Sequence, residues 1–107
     1  MSIPGTDELQ LLHEQICQAV GDVKRIQILY ALHEQPRHVS ALAELLEMPQ
    51  PTVSRHLTVL RERALVIAER QGPAVVYRLA DPRLIDVLNL MRQLLRDTLE
   101  RRATALP

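Results

Sequence analysis

The sequence predicts a mainly α fold with a small β-hairpin, in the order α-α-α-α-β-β-α. Three observations predict it. Apolar residues recur every three or four positions as far as Leu60, with breaks at Gly21-Asp22, Gln35-Pro36 and Met48-Pro49. After Leu65 the period falls to two, in β-branched runs. From Asp81-Pro82 a helical period returns, with an apolar arc wider than one core requires.

The elements follow in order. Leu9, Leu12, Ile16 and Val20 form one stripe of an amphipathic helix, with Thr6 or Asp7 as expected N-cap and Gly21 as its stop. Asp22 caps a second helix whose apolar residues, Val23 to Leu32, run nearly all the way round, so it should be the buried centre. It ends before Pro36, which disfavours a helical residue ahead of it. Ser40 is the expected cap of a short helix from Ala41 to Glu47, with Leu42, Leu45 and Leu46 inward. Pro51 suits the first position of a fourth helix. There Val53, Leu57, Leu60 and Ala64 make a narrow inward stripe, Arg55, Thr58 and Glu62 lie opposite, and Thr52 and Ser54 flank them.

A short helix, a break of a few residues and a second helix with a polar outer face make a helix-turn-helix pattern. Residues 66–70 and 74–79 around Gln71-Gly72-Pro73 read as a hairpin, hence a wing. In the last helix Leu84, Ile85, Val87, Leu88, Leu90, Met91, Leu94, Leu95 and Leu99 take up more than half the circumference, and a second subunit is the simplest cover for the surplus.

Length supports one domain over residues 1–107, with an ordered core of about 7–102. The composition, 47% hydrophobic and 24% charged, excludes a disordered or fibrous chain. With two Tyr and neither Phe nor Trp, the core must be aliphatic. The single cysteine, Cys17, excludes an intrachain disulfide framework and any one-chain zinc finger needing two thiolates. No apolar run approaches the roughly 18 residues of a membrane span. The opening MSIPGTDEL lacks the basic and apolar regions of a signal peptide, so a cytoplasmic location is expected.

The formal net charge is zero, but it is unevenly spread. Residues 1–50 carry a balance of −4, residues 51–80 one of +3 and residues 81–107 one of +1. The basic excess falls on the helix-turn-helix and hairpin, the segment that would meet phosphates.

The run Gln50-Pro51-Thr52-Val53-Ser54-Arg55-His56-Leu57-Thr58-Val59-Leu60-Arg61-Glu62 resembles the recognition-helix signature of the ArsR/SmtB family of bacterial repressors. Gly21 to Leu29 resembles its second-helix motif, and Arg70-Gln71-Gly72 with Val76-Tyr77-Arg78-Leu79 its wing. The resemblance covers roughly Leu9 to Leu99 and implies a winged helix-turn-helix that binds double-stranded operator DNA as a homodimer through its first and last helices. Two departures stand out. Ala64 occupies a place near the end of the recognition helix where the family usually has Gly, and Val23-Lys24 replaces the commoner Pro-Thr. Ala in a left-handed cap costs about 1 kcal/mol relative to Gly, so a different helix end is expected.

A recognition helix reads the major groove chiefly with its N-terminal residues, which makes Gln50, Thr52, Ser54, Arg55, His56 and Thr58 the candidates here. Arg55 is the expected bidentate partner of a guanine and Gln50 the candidate for adenine. Thr52 and Ser54 are alternatively phosphate contacts, which position without specifying. His56 lies nearer the buried side, where core, phosphate and base roles all remain open. Arg70 and Gln71 at the wing tip are candidates for backbone or minor-groove contact.

For sensing, the family's usual ligand sets are absent. Its third-helix thiolate pair falls at His38 and Ser40, and its closing-helix set at Asp81, Arg83, Leu94 and Asp97. Arg and Leu cannot ligate zinc, so Asp81 reads as a helix cap and no cofactor is expected. His13 and Cys17, four apart on the first helix, leave three readings: a shared metal site, an oxidisable thiol, or a small hydrophobe packed beside the closing helix. His33 and His38 are expected in a solvated loop.

A protein-interaction module is the rival function. The polar outer face of the fourth helix disfavours it, because protein-binding faces more often carry large apolar anchors. No enzymatic arrangement emerges: Ser54 and His56 are two apart on a helix with no acid to orient the His, and there is no phosphate loop or His-Glu-x-x-His pair.

Overall fold

A computed structural model describes residues 2–105. Met1 of the opening segment and residues 106–107 of the expected span lie outside the described residues. Helix α1 is continuous but not uniform: Thr6–Leu12 is α-helical, His13–Cys17 is a π-helical turn and Gln18–Val20 returns to α. Then come α2 (Val23–Glu34), α3 (Val39–Leu46), α4 (Gln50–Glu62), β1 (Val66–Gln71), β2 (Ala74–Leu79) and α5 (Arg83–Thr104). This is a winged helix-turn-helix in the expected element order.

The core is aliphatic. Ile28, Leu29 and Leu32 of α2 meet Leu42 of α3, Val53, Leu57 and Leu60 of α4, Val66 of β1 and Ile85 and Leu88 of α5. Helix α2 is the buried centre, as its nearly all-round apolar pattern requires. Asp22 caps it, accepting from the backbone N–H groups of Lys24 at 2.8 Å and Arg25 at 3.2 Å.

Other boundaries depart from expectation. Helix α1 is capped by Gly5, not by Thr6 or Asp7, so Asp7 and Glu8 fall in its first turn, where the positive end of the helix dipole favours them. Helix α3 is capped by His38 rather than Ser40. The cause lies outside the local sequence. Arg37 pairs with Tyr77, with N–H to O distances of 3.0 and 2.8 Å, as an isolated antiparallel bridge beside β2. Nδ1 of His38 meets the Val75 carbonyl at 3.0 Å. The chain is pinned there and enters the helix on leaving the sheet, so His38 is an anchor for the wing and not a free loop residue. Leu45, expected inward, is 49% exposed.

Helix α4 begins at Gln50, one residue before Pro51. It ends in the left-handed region that Ala64 was expected to avoid: Ala64 has φ of 59°. Ala64 N–H bonds to Arg61 O at 2.9 Å and Leu65 N–H to Leu60 O at 3.0 Å, closing the last turn as a Schellman motif. Ala64 is exposed and does not continue the inward stripe. The hairpin pairs Val66 with Leu79 through to Gln71 with Ala74, leaving Gly72-Pro73 as a two-residue turn. Gly72, at φ 63°, supplies the positive φ such a turn needs at its first position.

Two helices are left without cover. In α1 the large side chains Leu9, Leu11, Leu12 and Ile16 are exposed, and in α5 every large apolar residue beyond Leu88 is exposed, Leu94 at 58%. The radius of gyration, 16.6 Å, exceeds the roughly 13 Å of a compact chain this long because these helices project from the core. Among the described residues no helix is long and apolar enough to cross a membrane.

Candidate nucleic-acid interface

Burial of Val53, Leu57 and Leu60 against α2 fixes the rotation of α4, and rotation decides which residues face outward. Gln50, Ser54, Arg55 and Thr58 are exposed, and Thr52 is half-buried on the flank. The Thr58 hydroxyl donates to the Ser54 carbonyl at 3.0 Å, so its oxygen keeps free acceptor capacity while its proton is engaged. Arg70 and Gln71 are exposed at the wing tip beside Gly72. The structure thus gathers Gln50, Ser54, Arg55 and Thr58 on one surface, with Arg70 and Gln71 on a separate projecting hairpin. Arg78 is paired with Glu69 across the two strands, which takes one of the wing's cations out of free play.

His56 departs from the group. It is only 9% exposed and turns toward α2, where Nη1 of Arg25 lies 3.3 Å from its Nδ1. Burial lowers its pKa below the ordinary 6.5; Asp22 partly offsets this, while the positive charges of Arg25, Arg55 and Lys24 lower it further. A neutral, inward His56 supports the helix from behind and does not stand on the outward face.

Arg25 is the residue that sequence reasoning missed. The helical dipole disfavours a cation in the first turn of α2, and that mismatch was the available signal that it has a partner elsewhere. Asp22 is its neighbour in this cluster. Burial raises the Asp22 pKa, but the backbone N–H bonds from Arg25 and Lys24, with the Arg25 charge, hold it below the ordinary 3.8.

Cys17 and His13 are both exposed, so the packed reading of Cys17 does not hold in the single chain. They bound the π-turn, in which the Gln18 N–H bonds to the His13 carbonyl, an i→i+5 closure. Among the described residues no three His, Cys, Asp or Glu side chains gather as a metal site. The cap position of α5 is Pro82 and not Asp81, which stands one residue before it and still serves the helix end. Oδ1 of Asp81 accepts the Arg83 N–H at 2.9 Å, and the Arg83 side chain and backbone bonds hold its pKa below the ordinary range.

Known proteins align with this arrangement. Residues 22–68, from the α2 cap to β1, match the family model described as bacterial regulatory protein, arsR family. The arsenical resistance operon repressor of Bacillus subtilis is 32% identical over 83 residues, 77% of this chain and 79% of that protein. The chain belongs to the arsR family of bacterial regulatory proteins. The transcriptional repressor SmtB of Mycobacterium tuberculosis is 39% identical over 74 residues, 69% of this chain. The arsR-family chain spans little more than half of that relative, 55% of its length. A solution structure of a homodimeric winged helix-turn-helix DNA-binding domain from Mycobacterium bovis superposes with a TM-score of 0.73 at 27% identity, covering all of both chains.

Proposed function

We propose that this arsR-family chain, as one winged-helix domain, is a sequence-specific DNA-binding repressor that works in the cytoplasm as a homodimer. The observation that carries the reading is the outward face of α4. Gln50, Ser54 and Arg55 stand exposed at its N-terminal half, the part of a recognition helix that reaches base edges, beside a wing that ends in Arg70 and Gln71. The bare apolar faces of α1 and α5 support the dimer, and the homodimeric Mycobacterium bovis domain lends it precedent. The inducer in this reading is a thiol-reactive species or a metal ion meeting Cys17 and His13, both exposed in the single chain; the resting protein needs no cofactor.

Cyclic selection from random duplexes tests the proposal. It should converge on an inverted repeat whose half-sites lie about one helical turn apart, as a two-fold dimer demands. Affinity for the selected duplex should fall steeply with salt. Selection that enriches nothing, with weak and salt-insensitive retention on DNA, would favour a protein-interaction module. Peroxide, persulfide or zinc should release the duplex from wild type but not from Cys17→Ser; equal release from both removes Cys17 as the sensor.

A further inference from the structure

The guanidinium of Arg25 joins three helices at one point. Its Nε donates to Ala19 O at 2.7 Å and its Nη2 to Gln18 O at 3.0 Å, both carbonyls at the C-terminal end of α1. Its Nη1 reaches Nδ1 of His56 in α4 at 3.3 Å and stands 3.9 Å from the Asp22 carboxylate at the start of α2. The side chain is 17% exposed. Arginine can only donate, so Nδ1 of His56 is the acceptor and His56 is the neutral tautomer protonated at Nε2. The cation is disfavoured at the start of its own helix and favoured at the end of α1, where the dipole is negative. Its site therefore serves α1 and α4. A guanidinium offers five donors in a rigid fork; a lysine ammonium is a compact point and cannot span the same three directions.

We infer that Arg25 is a positioning residue for DNA recognition: through His56 it sets the seating of α4 against the end of α1, and so where Arg55, the residue just before His56, meets the groove. The inference rests on the DNA-binding reading above. Arg25 is half-buried behind the helix, away from its outward face, so its effect should fall on specific binding and spare the sequence-independent attraction to phosphates.

The test uses the full chain and the duplex obtained by selection, with a scrambled duplex beside it. Arg25→Lys keeps the charge and should weaken binding to the selected duplex by about tenfold while changing the scrambled duplex by less than about twofold. His56→Asn should do the same, and the double variant should be no weaker than the weaker single variant. Nitrogen-15 chemical shifts should place the wild-type His56 proton on Nε2, and Arg25→Lys should shift that signature toward a mixture of tautomers. A folded Arg25→Lys protein with unchanged preference overturns the inference. So do equal losses on both duplexes, additive losses in the double variant, or a wild-type His56 protonated on Nδ1; the last holds even if a variant does not fold. A wild type that does not prefer the selected duplex overturns the DNA reading itself and this inference with it.

Discussion

The hydroxyl of Tyr30 donates a 2.6 Å hydrogen bond to Oδ1 of Asn89, tying the central helix α2 to the projecting helix α5. Arg92 reinforces the tie: Nη1 donates to the same oxygen at 3.2 Å, and the guanidinium carbon stands 5.5 Å from the Tyr30 ring centroid. Tyr30→Phe keeps the ring beneath Arg92 and removes one hydrogen bond, so it should cost about 0.5–1.5 kcal/mol. Asn89→Ala should cost a similar amount. Because both variants break the Tyr30–Asn89 bond, the double variant in thermal melts should lose clearly less than the summed losses; full additivity would show that this bond contributes nothing.

The uncovered apolar faces yield a second prediction. Leu94 is exposed in the single chain, and it is buried if α5 packs on a second copy. Leu94→Glu would place an unpaired carboxylate in that interface and should weaken association by about 3 kcal/mol, or roughly 100-fold. Sedimentation should report twice the 12.2 kDa chain mass for wild type and a shift toward the single mass for the variant. Wild type sedimenting as one chain would remove the dimer.

Ala64 holds a left-handed turn that glycine adopts without strain. Ala64→Gly relieves that strain but frees the unfolded chain, so the net gain should be about 0.5–1 kcal/mol. The melting temperature, compared at equal protein concentration, should rise by a few degrees. A fall would mean that the turn costs Ala nothing.

Acid should weaken the fold in two stages. His56 has a folded pKa below its ordinary 6.5, so on acidification the unfolded chain takes up the proton first. Stability from neutral His56 is present above pH 6.5 and is lost as pH falls from there through the folded value. Asp22 and Asp81 lie below their ordinary 3.8, so what they contribute stays until pH falls below that value. Melting temperature against pH should decline below 6.5 in wild type, and His56→Asn should flatten that upper stage while leaving the acid stage. An unchanged upper slope in the variant would assign it to another group.

What the sequence disclosed and what it hid follow one physical division. The buried helix α2, the recognition helix and the hairpin were legible because each is written in local periodicity and in near-neighbour chemistry, Asp22 to Lys24 or Gly72 in its turn. The open face of α5 was legible for the same reason, as an apolar arc too wide for one core, whereas the single stripe of α1 gave no sign that Leu9, Leu12 and Ile16 stand exposed. The cap of α3 was not, because Arg37 and His38 are fixed by Tyr77 and Val75 far along the chain. His56 could be placed near the buried side by its helical angle, but its partner Arg25 lies 31 residues away. The π-turn at His13–Cys17 carries no proline or glycine to announce it.

The central claim is that the outer face of α4 reads base sequence, and Arg55 tests it most directly. It is exposed and forms no part of the core, so Arg55→Ala should fold and dimerise as wild type does. Measured at one fixed salt concentration, the variant should bind the selected duplex about 1–3 kcal/mol more weakly and with relaxed preference at one base pair of each half-site. An Arg55→Ala protein with wild-type affinity and wild-type preference would contradict the account.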